Sequence, residues 1–132
     1  MTETETIYAT EVTELGPEVA EFLEADLMIL FAEGAPPELA EISVNHRPSE
    51  KREAPPVPGD VLVIQDHELR ITAIGEKAWS NVLQLGHAVF KFNGASEVEL
   101  PGEIYIEEPN GLDLTELVVP GARIEIRTEV SG

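Results

Sequence analysis

Glycine and proline cut this chain into pieces too short for anything but strands and single turns of helix. Ten of each are spread along the 132 residues, and most fall in turn-forming pairs: Gly16-Pro17, Pro36-Pro37, Pro58-Gly59, Asn93-Gly94, Pro101-Gly102, Asn110-Gly111 and Pro120-Gly121. Between them lie runs of about four to eight residues rich in valine, isoleucine and threonine, the pattern of short strands bounded by turns. Ile7 to Leu15, Leu27 to Phe31, Ile42 to Val44, Val61 to Ile64, Leu69 to Ile74, His87 to Phe92, Glu103 to Glu107 and Arg123 to Arg127 all read this way. Seven or eight short strands imply a mainly β protein, an antiparallel barrel or sandwich with one or two short helices. The length suits a single domain over residues 1–132 that buries a core without staples.

Some segments have sharper signatures. Residues 1–6 are polar and expected to fray. Pro17 to Glu24 can form a short helix, with proline in its first turn and Val19, Ala20, Phe22 and Leu23 supplying an apolar side. Glu76 to Leu85 is the best helical candidate, because Ala78, Val82 and Leu85 share one face and Trp79 and Leu83 flank it; Gly86 follows as a natural C-cap. Val61 to Ile64 and Leu69 to Ile74 form a hairpin with His67 at its tip. The proline-rich stretch 47–58 reads as a mobile loop, and Pro48, which has no N–H to donate, is expected to end regular pairing.

Composition narrows the chemistry. There is no cysteine, which removes disulfides, thiolate zinc sites and cysteine nucleophiles. The N-terminus has neither the basic nor the apolar region of a signal peptide, and no apolar run approaches the ~20 residues of a membrane span. A cytoplasmic protein without direct membrane insertion is expected. Twenty-six acidic residues face eight basic ones, for a net charge of −18. Such a surface repels nucleic acid and anionic membranes and suits solubility or a basic partner.

Three histidines, His46, His67 and His87, titrate near neutrality without special tuning. Their wide separation in the chain fits no compact metal motif. No G-x-S-x-G elbow and no phosphate-cradling G-x-x-x-x-G-K occurs. His46 stands out because it follows a strand, precedes Pro48 and lies beside Arg47, Lys51 and Arg52, the one basic cluster of the chain. Cations of that kind beside a reactive imidazole suit a phosphate. The pattern alone is equally that of an ordinary surface histidine in a solvated loop.

The stretches Phe31-Ala32-Glu33-Gly34-Ala35-Pro36, Ile42 to His46, Ile71-Thr72-Ala73-Ile74-Gly75, Asn81-Val82-Leu83-Gln84-Leu85-Gly86-His87, Phe92-Asn93-Gly94 and Glu99-Leu100-Pro101-Gly102 together resemble one family. It is the glucitol/sorbitol-specific enzyme IIA of the bacterial phosphoenolpyruvate-dependent sugar phosphotransferase system, and the likeness spans roughly residues 7 to 127. The resemblance implies a phosphocarrier: His46 would take a phosphoryl group from the phosphohistidine of the small carrier HPr. It would pass that group to a IIB component, acting at the membrane's inner face through IIB/IIC partners. It implies no bound cofactor and no metal. A hydrogen bond to one ring nitrogen would fix the tautomer so that the other attacks phosphorus. His87 is the first choice as phosphate stabiliser, Arg47 a second, and His67 a weaker candidate.

Where the family carries an H-x-H pair, this chain reads His46-Arg47-Pro48. Asn45 replaces an apolar residue, and the loop from Ser49 to Pro58 is longer. Arg47 would stand in for the absent histidine. Two other readings follow: a non-catalytic interaction or regulatory module that has kept the fold and lost the relay, and a three-histidine metal site. Exposed β edges would also allow a homodimer.

Overall fold

The computed structural model describes residues 3–130. Eight strands close into one barrel in the order β1-β3-β2-β6-β7-β5-β4-β8, with β8 returning to β1. They are β1 (Glu3–Leu15), β2 (Leu27–Ala32), β3 (Val44–Lys51), β4 (Val61–Ile64), β5 (His67–Ile74), β6 (Ala88–Lys91), β7 (Glu103–Ile106) and β8 (Arg123–Val130). The mainly β barrel expected from the Gly/Pro punctuation is present, and most pairings are antiparallel. Two are parallel, β2 with β3 and β6 with β7. Four short helices decorate the barrel rather than one or two: α1 (Val19–Glu24), α2 (Pro37–Ala40), α3 (Ala78–Leu85) and α4 (Leu114–Leu117). The two extra ones, α2 and α4, are single turns within stretches rich in proline and polar residues.

Closure gives each strand a neighbour on both sides. The end of β3 beyond His46 is an exception, since β2 pairs with it only as far as Ala32↔His46. The interior is filled by alternate residues of the strands, among them Met28, Leu30, Leu62, Ile64, Ile71, Phe90, Ile104, Ile106, Ile124 and Ile126, all essentially inaccessible. Each such side chain contributes roughly 1.5–3 kcal/mol of burial. Helix α3 lies against the barrel through Ala78, Trp79 and Val82. Leu85, which helical spacing puts on that same face, is instead half exposed, because it is the last residue of the helix.

Two expectations about the N-terminal half are corrected. Residues 3–6 do not fray: they begin β1 and pair with Thr6↔Arg127 through Glu3↔Val130 of β8; Met1 and Thr2 lie outside the described residues. Nor does Pro48 end pairing. Residues 47–51 continue β3 against β1, with Thr10 opposite Pro48 and Tyr8 opposite Lys51. Two features accommodate the proline. A bulge between Ala9 and Thr10 absorbs the irregularity, so that Ser49 is skipped in the register. The β2 side of β3 is also vacated after His46, since β2 pairs only as far as Ala32↔His46, so residues beyond it need no donor on that side.

Candidate functional site

His46 sits inside β3 rather than at its mouth. Its backbone is held on both sides, opposite Val12 of β1 and Ala32 of β2, and Glu33 N–H donates to its carbonyl at 3.1 Å. The side chain is completely buried. Both ring nitrogens are engaged: Nδ1 with Thr10 Oγ1 at 2.6 Å and Nε2 with the Gly86 carbonyl at 2.7 Å. A carbonyl only accepts, so Nε2 carries the ring proton and donates it, and the Thr10 hydroxyl donates to the lone pair of Nδ1. Burial pushes the His46 pKa below its ordinary value, against smaller opposing effects of the Gly86 carbonyl and Glu33. The neutral imidazole is the form a nucleophilic histidine requires.

The residue that covers Nε2 is placed by backbone conformation. Gly86 is the C-cap of α3 in the left-handed region, φ +63°, where glycine has no steric cost. It also lies so close to β2 that a Cβ there would come within 2.6 Å of Ala32 Cβ. Both constraints aim its carbonyl at the imidazole. The Tyr8 ring packs edge-on against His46, with centroids 6.3 Å apart, and edge-on against Trp79 of α3, at 5.9 Å.

A groove of about 490 Å³ opens directly over this arrangement. Its walls are Phe31 to Gly34, Pro48 to Lys51 of β3, and Val82 to Gly86 at the end of α3. Gly86 thus faces the groove and accepts the hydrogen bond of the buried imidazole at once. Lys51 is the single cation among the lining residues, and its Nζ donates to the Leu83 carbonyl at 3.4 Å.

The other candidates are dispersed. Arg47 neighbours His46 in sequence but is exposed, and it forms a two-pronged ion pair with Glu33 at 2.8 and 3.2 Å. His87 Nδ1 donates to the Leu30 carbonyl at 3.1 Å and its ring lies against Phe31; no hydrogen bond joins it to His46. His67 is exposed at the first position of β5, four strands around the barrel from β3 and so on its far side. The three histidines do not converge, and no group of three metal-ligating side chains occurs among the described residues. Of the basic cluster, Arg52 pairs with Glu5, leaving Lys51 at the groove. Sequence reasoning missed Thr10 and the hydrogen-bonding role of Gly86. The glycine's place as a C-cap was legible; nothing local marked the threonine.

Comparison with known proteins gives a consistent picture. Residues 7–124 match the family described as the PTS system glucitol/sorbitol-specific IIA component. The chain is 34% identical over 103 residues to the PTS system glucitol/sorbitol-specific EIIA component of Escherichia coli K12, covering 78% of this chain and 83% of that one. The Shigella flexneri protein of the same description matches equally. Among solved structures, the crystal structure of a PTS system IIA component from Enterococcus faecalis V583 superposes with a TM-score of 0.74 at 28% identity, over 88% of this chain and 96% of that one. No helix among the described residues is long and apolar enough to cross a membrane.

Proposed function

This chain belongs to the family of glucitol/sorbitol-specific IIA components of the sugar phosphotransferase system, which makes it a phosphocarrier, and on that premise we propose that His46 is the residue that carries the phosphoryl group. The observation behind the choice is its setting: a neutral imidazole clamped at both nitrogens under a groove open to a partner. On this reading the donor is the phosphohistidine of HPr, the acceptor a IIB component, and the transported sugar a hexitol such as glucitol. The work takes place in the cytoplasm.

The geometry favours Nε2 as the atom phosphorylated. Gly86, which covers it, lines the groove; Thr10, which holds Nδ1, does not. Withdrawal of the Gly86 carbonyl frees Nε2, and the ring proton then resides on Nδ1, donated to Thr10 Oγ1, since a hydroxyl accepts as readily as it donates. The Nε2 lone pair forms the new N–P bond as the donor's N–P bond breaks and its electron pair returns to the donor imidazole. The ring needs no further proton. Lys51 is the cation nearest the arriving charge along the groove, and Arg47 would reach it only by leaving Glu33. Positioning and charge stabilisation are what such a transfer requires.

A second reading, an interaction module without a relay, draws on the full burial of His46 and on Pro48 in place of a second histidine. Intact-mass spectrometry after incubation with phosphoenolpyruvate, enzyme I and HPr decides between them, with His46→Ala alongside. One acid-labile phosphoryl group on the wild type alone supports the carrier. An unmodified wild type beside charged HPr supports the module.

A further inference from the structure

One buried polar group near His46 has no work to do in the uncharged protein. The hydroxyl of Tyr8 is shielded from solvent and has no hydrogen-bond partner among the described residues. The whole side chain is 2% exposed. Leaving a buried hydroxyl unpaired costs about 1–3 kcal/mol, so a residue that served only to fill space would do better as phenylalanine. Burial also drives the phenol pKa upward, so the group stays protonated and keeps a proton to donate at any working pH.

Its location indicates the acceptor. The Tyr8 ring touches two partners at once: the His46 imidazole and Trp79 of α3. Helix α3 is also the element whose C-cap, Gly86, covers Nε2 of His46. Displacing the end of α3 uncovers Nε2 and opens space beside the imidazole against which the Tyr8 ring packs, while Trp79 at the start of the helix keeps that ring in place. A phosphoryl group on Nε2 brings three strong acceptor oxygens into that space.

Building on the assignment of His46 as carrier, we propose that Tyr8 is a further catalytic residue, whose hydroxyl donates a hydrogen bond to a phosphoryl oxygen on His46 and is unpartnered until the group arrives. The bond exists only in the charged protein. Tyr8 therefore favours phosphoryl acceptance and holds the phosphohistidine, with no covalent step of its own.

The test is Tyr8→Phe, which keeps the ring between His46 and Trp79. Wild type and variant are brought to equilibrium with phospho-HPr, and the charged fraction of each is measured by intact mass. A charge-assisted hydrogen bond lost from the product state shifts the equilibrium about tenfold or more toward phospho-HPr. The ³¹P resonance of the phosphohistidine also moves in the variant, a signature that a packing role would not produce. Uncharged Tyr8→Phe melts at or above the wild-type temperature, because no bond is lost there. Three results overturn the proposal: equal charging with an unmoved ³¹P resonance, a clear drop in the melting temperature of the uncharged variant, or a wild type that never charges. The last also removes His46 as carrier, whereas the first two leave it standing.

Discussion

Gly86→Ala tests whether the cover over His46 is as tightly specified as it looks. Alanine at φ +63° carries a left-handed cost of about 1–2 kcal/mol. Its Cβ would lie 2.6 Å from Ala32 Cβ, where ordinary carbon contacts begin near ~3.5 Å, so the end of α3 must retreat by roughly 1 Å. That retreat breaks the 2.7 Å bond from His46 Nε2 and leaves a buried donor unpaired, for about 1–3 kcal/mol more. Together these give a loss of about 2–5 kcal/mol, or on the order of 10 °C in Tm for a chain of this size. Gly34→Ala is the matched control. Gly34 is also at positive φ, but a Cβ there meets nothing within 4 Å, so only the conformational cost of about 1–2 kcal/mol applies. Urea unfolding of both variants separates the two contributions. In parallel, the His46 imidazole protons are titrated by NMR. Burial is the larger cause of the lowered pKa, so loosening the cover moves the midpoint up toward the ordinary histidine value, although loss of the Gly86 acceptor opposes it. If Gly86→Ala is no less stable than Gly34→Ala and the titration is unmoved, the close approach of α3 to β2 does not control His46.

Thr10→Val keeps the shape and removes the only partner of Nδ1; a loss of about 1–3 kcal/mol is expected in chemical unfolding, with Thr10→Ser restoring most of it. The pH dependence follows from the lowered His46 pKa. The unfolded chain binds the proton near 6.5 and the folded one only below that, so the contribution is complete above 6.5, falls as pH drops, and is lost once pH passes below the folded value. Subtracting the His46→Ala stability curve from that of the wild type between pH 8 and 5 should isolate this slope; a flat difference would contradict it. Arg47→Ala should leave stability nearly unchanged, because its ion pair with Glu33 is exposed. A slowed transfer from phospho-HPr in the same variant would show Arg47 leaving Glu33 for the phosphoryl group, and an unaltered rate would remove it from the site.

Much of the barrel was legible because its signals are local. Alternation, turn pairs and the C-cap at Gly86 marked β4, β5, β7 and α3 within a residue or two, and β8 from its first residue, although it runs three residues further than read, to Val130. What escaped was set by pairing between distant segments. Pro48 reads as a strand breaker on its own, and only the end of β2 at Ala32 together with the bulge at Ser49 of β3 makes it acceptable. Leu85 has helical spacing for the core yet lies at the helix end, beyond the barrel's reach. The same holds for the site. His46 could be picked from its neighbours in the chain, whereas its two ring partners are 36 and 40 positions away. Closure of the barrel sets His67 four strands from His46, a separation in space that the linear sequence does not show.

The burial that counts against a reactive His46 is also what a phosphohistidine needs. An N–P bond exposed to water is lost to hydrolysis, and a carrier is useful only if the group waits for its partner. A permanently open site would fail at that, and a permanently closed one could never be charged. The contacts around α3 divide along that line. Its first turn is fixed by Ala78, Trp79 and Val82 in the core, with Trp79 Nε1–H donating to the Arg52 carbonyl at 2.8 Å. Its last turn has a partly buried Leu83, an exposed Leu85, a long Lys51 bond to the Leu83 carbonyl and the single bond from His46 to Gly86. Segments with few buried contacts open at the lowest free energy. The end of α3 can therefore open at a lower cost than its anchored start, and a partner that binds the open form better would shift the balance toward it. On the proposal that His46 carries the phosphoryl group, the site is closed by default and opened by a docking partner, and the weak last turn of α3 would be the part of the molecule that decides when transfer occurs.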